Sequence, residues 1–243
     1  MSDHDATPDS APATTSDAAP AVAFFDVDET LISVKSMFRF LDFYLAAKGE
    51  GPATYRRLAG ELSHMAAMGV AREDVNRAYY RFYAGESERD LTRWGARWFA
   101  QESRREDFWL PESVAEHARL RERGTPTVLV SGSFFACLDP IAEELGATDA
   151  LGAPVLVHDG RLTGEIAEPV IGEGKVRAAR AWLAGRGVPA ERCAAYGDHT
   201  SDLPLLRAMG EPVVVGDEPR MARLAEERGW RRLPGPARTP AAV

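Results

Sequence analysis

The sequence predicts an α/β protein whose buried parallel strands carry acids at their carboxyl ends, with an all-helical unit inserted after the first strand. Three observations carry this prediction. Residues 21–31 read AVAFFDVDETL, an apolar run that stops at two carboxylates, Asp26 and Asp28; such runs suit strands buried on both faces. Residues 33–108 keep a helical period throughout. Beyond Pro111, short apolar runs alternate with helical segments, the rhythm of strand-helix-strand units.

Composition narrows the functional classes. The chain has 243 residues, enough for one α/β domain and an insertion. A net charge of -8 argues against nucleic acid or an anionic membrane as the main partner. The two cysteines, Cys137 and Cys193, sit in apolar segments and read as buried free thiols rather than a disulfide or metal scaffold. No apolar stretch is long enough for a transmembrane helix, and no secretory leader is visible, so a cytoplasmic location is the default expectation.

In chain order, residues 1–20 (MSDHDATPDSAPATTSDAAP) lack core-forming side chains and read as a disordered tail. Residues 22–26 form the first strand. Four helices follow. One apolar face carries Val34, Met37, Phe38, Leu41 and Tyr44. Others carry Tyr55, Leu58, Leu62 and Met65, then Val75, Ala78, Tyr79 and Phe82, then Leu91, Trp94, Trp98 and Phe99. Gly49, Gly69 and Gly85 separate them. These aromatics read mainly as helix–helix core, with Phe40 and Tyr80 as candidates for a pocket wall.

The α/β rhythm then runs through a helix over 112–123, a strand over 126–130 and a helix over 134–145. Segments 154–158 and 161–166 flank Asp159-Gly160, a hairpin signal. A helix over 174–186, a strand over 193–196, a helix over 203–209, a strand over 212–215 and a helix over 219–228 complete it. Residues 231–243 read as a loose tail.

Four polar elements sit at the ends of predicted core elements. Asp26 and Asp28, at i and i+2, project to one side of a strand end; one can attack while the other handles protons. Such a pair repels itself and calls for a cation. Thr30 ties the turn by hydrogen bonding. Ser131-Gly132 follows a strand and precedes a helix, offering a hydroxyl and open N–H groups to an anion; alone it would be a plain helix cap. Lys175 alone reads as a solvated lysine; near two acids and a bound anion it would balance charge. Asp198 and Asp202, in the run GDHTSD, end another strand in hard oxygen ligands that suit Mg²⁺ better than a calcium loop.

Taken together, Asp26-x-Asp28-x-Thr30, Ser131, Lys175 and Gly197-Asp198-x-x-Ser201-Asp202 resemble the four motifs of the haloacid dehalogenase (HAD) superfamily, in its order. The helical insertion resembles its C1 cap. The segment 159–165 and the ending 213–230 resemble the phosphoserine phosphatase-like subgroup (HAD-IB). The resemblance implies a doubly wound, Rossmann-like core over 21–32 and 109–230, a helical cap over 33–108, Mg²⁺ dependence and an aspartyl-phosphate mechanism on a small phosphorylated metabolite. In that scheme Asp26 is the nucleophile and Asp28 the general acid and base. Asp26, the Asp28 carbonyl and Asp198 hold the metal, with Asp202 and Thr30 behind them. Ser131, Gly132 and Lys175 bind the phosphoryl oxygens.

Three departures from that family stand out. The fourth motif reads His199-Thr200-Ser201 where the more familiar sequence is Gly-Ala-Asn. Glu29 occupies a position where many relatives carry Gly or another small residue. Lys35 stands where phosphoserine phosphatases carry a Glu that meets the substrate ammonium group. A cation there either favours an anionic or hydroxyl-bearing leaving group over phosphoserine or is simply a solvated lysine at a helix start. Two alternatives stay open: transfer of the same phosphoryl group to an acceptor alcohol, and a non-catalytic regulatory module.

Overall fold

A computed structural model describes residues 19–236. Its frame is a parallel sheet. β1 (Val22–Phe25), β2 (Thr127–Val130) and β3 (Asp149–Leu151) form one half. β4 (Val155–His158) and β5 (Arg161–Ile166) leave the sheet as a separate antiparallel hairpin. β6 (Cys193–Gly197), β7 (Glu211–Val215) and β8 (Arg231–Leu233) complete the sheet, in the order β3-β2-β1-β6-β7-β8. All five neighbouring pairs are parallel.

The apolar run of β1 has a direct cause. Successive side chains point to opposite faces, and both faces are covered. Ala23 and Phe25 enter one core cluster, Val22 and Phe24 the other. The chain winds outward from β1 through β2 to β3, then returns to β6 on the opposite side. A crevice therefore opens at the carboxyl ends, beside β1. Asp26, Ser131 and Asp198 sit at those ends. The Asp26 amide donates to the Tyr196 carbonyl at 3.0 Å, so the sheet ladder itself fixes its backbone.

Between β1 and the rest lie α1 (Ser36–Ala47), α2 (Pro52–Ala67), α3 (Arg72–Tyr80) and α4 (Glu88–Glu102). The core proper carries α5 (Pro111–Glu122), α6 (Phe135–Leu145), α7 (Glu173–Ala184), α8 (Leu203–Ala208) and α9 (Pro219–Arg228). The inserted helices share one apolar core with the sheet. Phe134, just past β2, lies 5.8 Å from Phe40, 5.5 Å from Tyr80 and 5.3 Å from Tyr83, ring to ring. α4 crosses α6 so closely that a Cβ on Gly95 would lie 1.9 Å from the Ala136 carbonyl oxygen. The hairpin braces the far side: the Gly85 amide donates to the Leu162 carbonyl at 2.7 Å, and the Leu162 amide to the Glu86 carbonyl at 2.9 Å.

Several expectations need correction. The loose tail expected over 231–243 begins as β8, an edge strand paired with β7; residues 237–243 lie outside the described residues. Its sequence, Arg-Arg-Leu, has no apolar run; pairing and the Arg231 ion pair with Glu116 hold it. β3, three residues long and partly exposed, has no sequence prediction at all. The disordered tail expected over 1–20 falls, except for its last two residues, outside the described residues. Phe40 is fully buried in the shared core and is not among the residues that line the cavity at the strand ends.

Candidate active site

A cavity of about 140 Å³ opens at the carboxyl ends of the strands. Asp26, Asp28, Glu29, Lys35, Ser131, Gly132, Lys175, Asp198 and Asp202 all line it. The candidate residues scattered from 26 to 202 are thus brought to one place. Thr30 lies just beneath, fully buried.

Lys175 is the hub. Its buried ammonium donates to Asp26 Oδ1 and Asp202 Oδ1, each at 2.6 Å. Burial pulls its pKa down, but Asp202 and Asp26 more than offset this and raise it. The lysine is therefore firmly charged. Two of its three N–H donors are used by acids, which leaves one for a ligand. A Cβ at Gly174 would lie 2.0 Å from the Pro169 carbonyl oxygen, so only Gly lets the first turn of α7 pack against the loop that leads into it.

The acids are crowded. Thr30 Oγ1 lies 3.4 Å from Asp26 Oδ2 and 3.3 Å from Asp198 Oδ1, bridging them. Asp202 spends its second oxygen on the His199 amide, at 3.0 Å. A Cβ at Gly197 would lie 2.6 Å from the Asp202 Cβ, so the strand end must be glycine for this turn to close. Burial first, then repulsion from Asp26 and Asp202, push the Asp198 carboxyl up to about 9. Asp26 is raised too, by burial against the opposing pull of Lys175. Asp28 is pushed up to about 7, mainly by burial, and its Oδ1 is buried without a hydrogen-bond partner.

A divalent cation fits this arrangement. Asp26, Asp198 and Asp202 each place a carboxylate oxygen within 4.8 Å of the others. Hard oxygen donors with too little positive charge among them are what a magnesium-type ion neutralises.

Sequence reasoning marked Tyr80 as a candidate for a pocket wall and missed several other residues of the site. Asn76 and Tyr80, on α3, both donate to the Gly132 carbonyl, at 3.0 and 2.6 Å. Tyr80 thus grips the site's backbone rather than lining the cavity. Arg72, at the start of α3, reaches the His199 ring. Ser36, fully buried, joins its hydroxyl to that of Ser133 at 3.2 Å. Met37, Phe38 and Ile171 form the apolar part of the wall. None carries a local signal, because each acts through a contact distant in sequence. Glu29 and Lys35, each singled out by sequence, turn out to face each other at 3.5 Å in an exposed ion pair. Glu29 holds a left-handed backbone, φ 61°, which explains why a small residue or Gly suits the position.

A doubly wound sheet with converging strand-end acids around a buried lysine defines a hydrolase site of the HAD type. The chain belongs to the haloacid dehalogenase-like hydrolase family, which it matches over residues 23–207. A probable phosphatase of Mycobacterium tuberculosis is 32% identical, over 92% of this chain and 78% of its own length. A phosphoserine phosphatase of the same organism is 30% identical, over 86% of this chain and 69% of its own. Among solved structures, a Bordetella pertussis Tohama I protein of unknown function superposes with a TM-score of 0.80 at 26% identity. That match covers 89% of this chain and 99% of the other. A phosphoserine phosphatase carrying a phospho-aspartyl intermediate analogue shares the fold, at TM-score 0.60 and 19% identity over 85% and 91% of the two chains. No described helix is long and apolar enough to cross a membrane.

Proposed function

We propose that this protein is a Mg²⁺-dependent phosphomonoesterase that hydrolyses a small-molecule phosphate ester through an aspartyl-phosphate on Asp26. The observation that carries the reading is the pairing of Asp26 with Asp28. Asp26 is held in place by Lys175 and Thr30, while Asp28 beside it has a pKa near neutrality. A carboxylate kept in position is a nucleophile; a carboxyl poised near 7 both gives and takes a proton.

In this reading Asp26 attacks phosphorus. Asp28 protonates the departing alcohol, then takes the proton of the water that cleaves the acyl phosphate. Ser131 donates its hydroxyl to a phosphoryl oxygen. Its own oxygen already accepts the Ser133 amide at 3.1 Å, so its hydrogen remains for the ligand. Lys175 contributes its remaining N–H, and backbone N–H groups near Asp28 and Gly132 assist. Asp26, Asp198 and the Asp28 carbonyl would hold Mg²⁺, with Asp202 behind them because both of its oxygens are engaged by Lys175 and His199. The bound ion supplies charge neutralisation that lets an anionic carboxylate approach an anionic ester. The helical insertion acts as a cap over the leaving group. Relatives named a phosphoserine phosphatase and a histidinol-phosphatase share this frame, so the leaving alcohol is set by the wall and not by the fold.

The test is release of inorganic phosphate from p-nitrophenyl phosphate and a metabolite panel, with Mg²⁺ and after chelation. Turnover that needs the metal, and rapid quenching that traps phosphate on Asp26, support the reading. Metal-loaded protein that hydrolyses nothing overturns it.

A further inference from the structure

The strands leave a second concavity at their other ends. In a parallel sheet all the amino ends lie on one side, so the starts of β7 and β8 fall opposite Asp26 and Asp198. There Arg207, Arg228, Trp230, Leu206, Met209 and Pro212 line a groove of about 510 Å³, within the roughly 300–1,000 Å³ of small-molecule sites. None of these residues has a part in the chemistry proposed above.

Two helix ends set its walls. Arg207 lies in the last turn of α8 and Arg228 in the last turn of α9. Gly229, with φ 64°, turns the chain back, and the Trp230 amide donates to the Ala225 carbonyl at 2.8 Å. The indole therefore packs on the apolar cluster that holds Leu206 and Met209. Gly210 closes the floor: its amide donates to the Ala190 carbonyl at 3.1 Å, and a Cβ there would lie 1.8 Å from the Glu191 carbonyl oxygen. Along β7, Val214 joins the cluster that Trp230 packs on, while Val213 and Val215 join the other. Successive strand residues face opposite ways, so Pro212 shares the groove's face and Glu211 turns from it.

The groove is chemically unfinished. Among the described residues, the exposed side chains of Arg207 and Arg228 enter no ion pair and no hydrogen bond. The Trp230 indole N–H donates to no described residue, and no ring or cation lies over the indole. No carboxylate lines the groove, although the chain carries a net charge of -8. The helix-end carbonyls offset only part of the two positive charges, since a helix C-terminus carries about half a negative charge. Guanidinium forks match phosphate oxygens, and a bare indole is a platform for a nucleobase. Together they call for one ligand with a planar ring and an anionic end. An acidic peptide or free phosphate would satisfy the arginines and leave the indole bare.

We propose that this groove is a second ligand site, for a mononucleotide: the base stacks on Trp230 and the phosphate meets Arg207 and Arg228. The site is independent of the chemistry at Asp26. α8 begins at Leu203, next to Asp202, and ends at the groove, so the ligand sits one short helix behind the Asp202–Lys175 pair.

The experiment is isothermal titration calorimetry on the full chain with Mg²⁺. The probes are uncleavable phosphonate analogues of AMP, GMP, CMP and UMP, beside inorganic phosphate and an Asp-rich peptide. At least one analogue is expected to bind saturably, one per chain, about tenfold or more tighter than inorganic phosphate, the range of base stacking. Arg207→Gln and Arg228→Gln should each weaken that binding by about tenfold, the range of a charge-assisted hydrogen bond. Trp230→Leu should remove the advantage over inorganic phosphate. Both arginines are exposed, so their replacement leaves the core intact; circular dichroism checks this. Analogue binding that is unchanged in both arginine variants lies elsewhere on the protein and overturns the proposal. Inorganic phosphate bound as tightly as every analogue, a peptide bound more tightly, or no binding up to millimolar concentration also overturns it. A protein that hydrolyses no ester still gives this calorimetric answer, so the two readings fail separately.

Discussion

The hydroxyl of Tyr80 donates to the carbonyl oxygen of Gly132 at 2.6 Å, joining an inserted helix to the peptide beside Ser131. Asn76 donates to the same oxygen. On the other side of that peptide, the Ser133 amide donates to Ser131 Oγ. The peptide is thus held at both ends, and the Ser131 hydroxyl is aimed by it. Tyr80→Phe removes one grip and little volume. It should cost about 1 kcal/mol of stability and lower kcat several-fold, with less change in KM. Steady-state kinetics beside urea unfolding checks this; an unchanged kcat would mean Asn76 alone suffices.

Asp26→Asn should abolish turnover, by roughly 10³-fold or more for a covalent nucleophile, while far-UV circular dichroism stays native. Lys175 keeps Asp202 in the variant, so its charge is not stranded. Near-normal activity in Asp26→Asn would rule out the covalent route.

Glu29 carries a left-handed backbone that costs a non-glycine residue about 1 kcal/mol. Its pair with Lys35 is exposed and returns well under that. Glu29→Gly should therefore be more stable than Glu29→Ala by about 1 kcal/mol. Both variants lose the ion pair, so the difference isolates the backbone. Denaturant midpoints at equal m-value measure it.

His117 is buried with its ring edge-on to Phe25, 5.3 Å between centroids. Burial, then Arg121, pull its pKa down to about 4 from 6.5. The unfolded chain binds a proton that the folded chain refuses. The stability contribution is complete above pH 6.5 and is lost as pH falls toward 4, by at most about 3 kcal/mol. His117→Phe should flatten the pH dependence of unfolding in that window. A slope equal to wild type would remove His117 as its source.

Gly95 lets α4 lie against α6. Adding a methyl group 1.9 Å from the Ala136 carbonyl oxygen forces the helices apart. Gly95→Ala should destabilise by about 1–3 kcal/mol, the usual range for overpacking, despite alanine's better helix propensity. Thermal unfolding decides; a rise in Tm would mean the contact yields freely.

The sequence by itself determined the frame and the polar heart of the site. β1 was legible because a strand covered on both faces must be apolar throughout, and Asp26 and Asp28 break that run abruptly. Ser131, Lys175 and Asp198 were legible only together: each is a weak signal alone, and their order along the chain and their places at the ends of core elements singled them out. β3 and β8 were not legible, because three-residue edge strands are held by pairing and not by a periodic pattern. Only the tertiary structure decided the wall of the site. Asn76, Tyr80 and Arg72 sit on a helix whose own period reports just its buried face. Their parts depend on that helix meeting residues 132 and 199, contacts that no local window contains. The same holds for Glu29 and Lys35, which the sequence marked as departures and the structure joined into a pair.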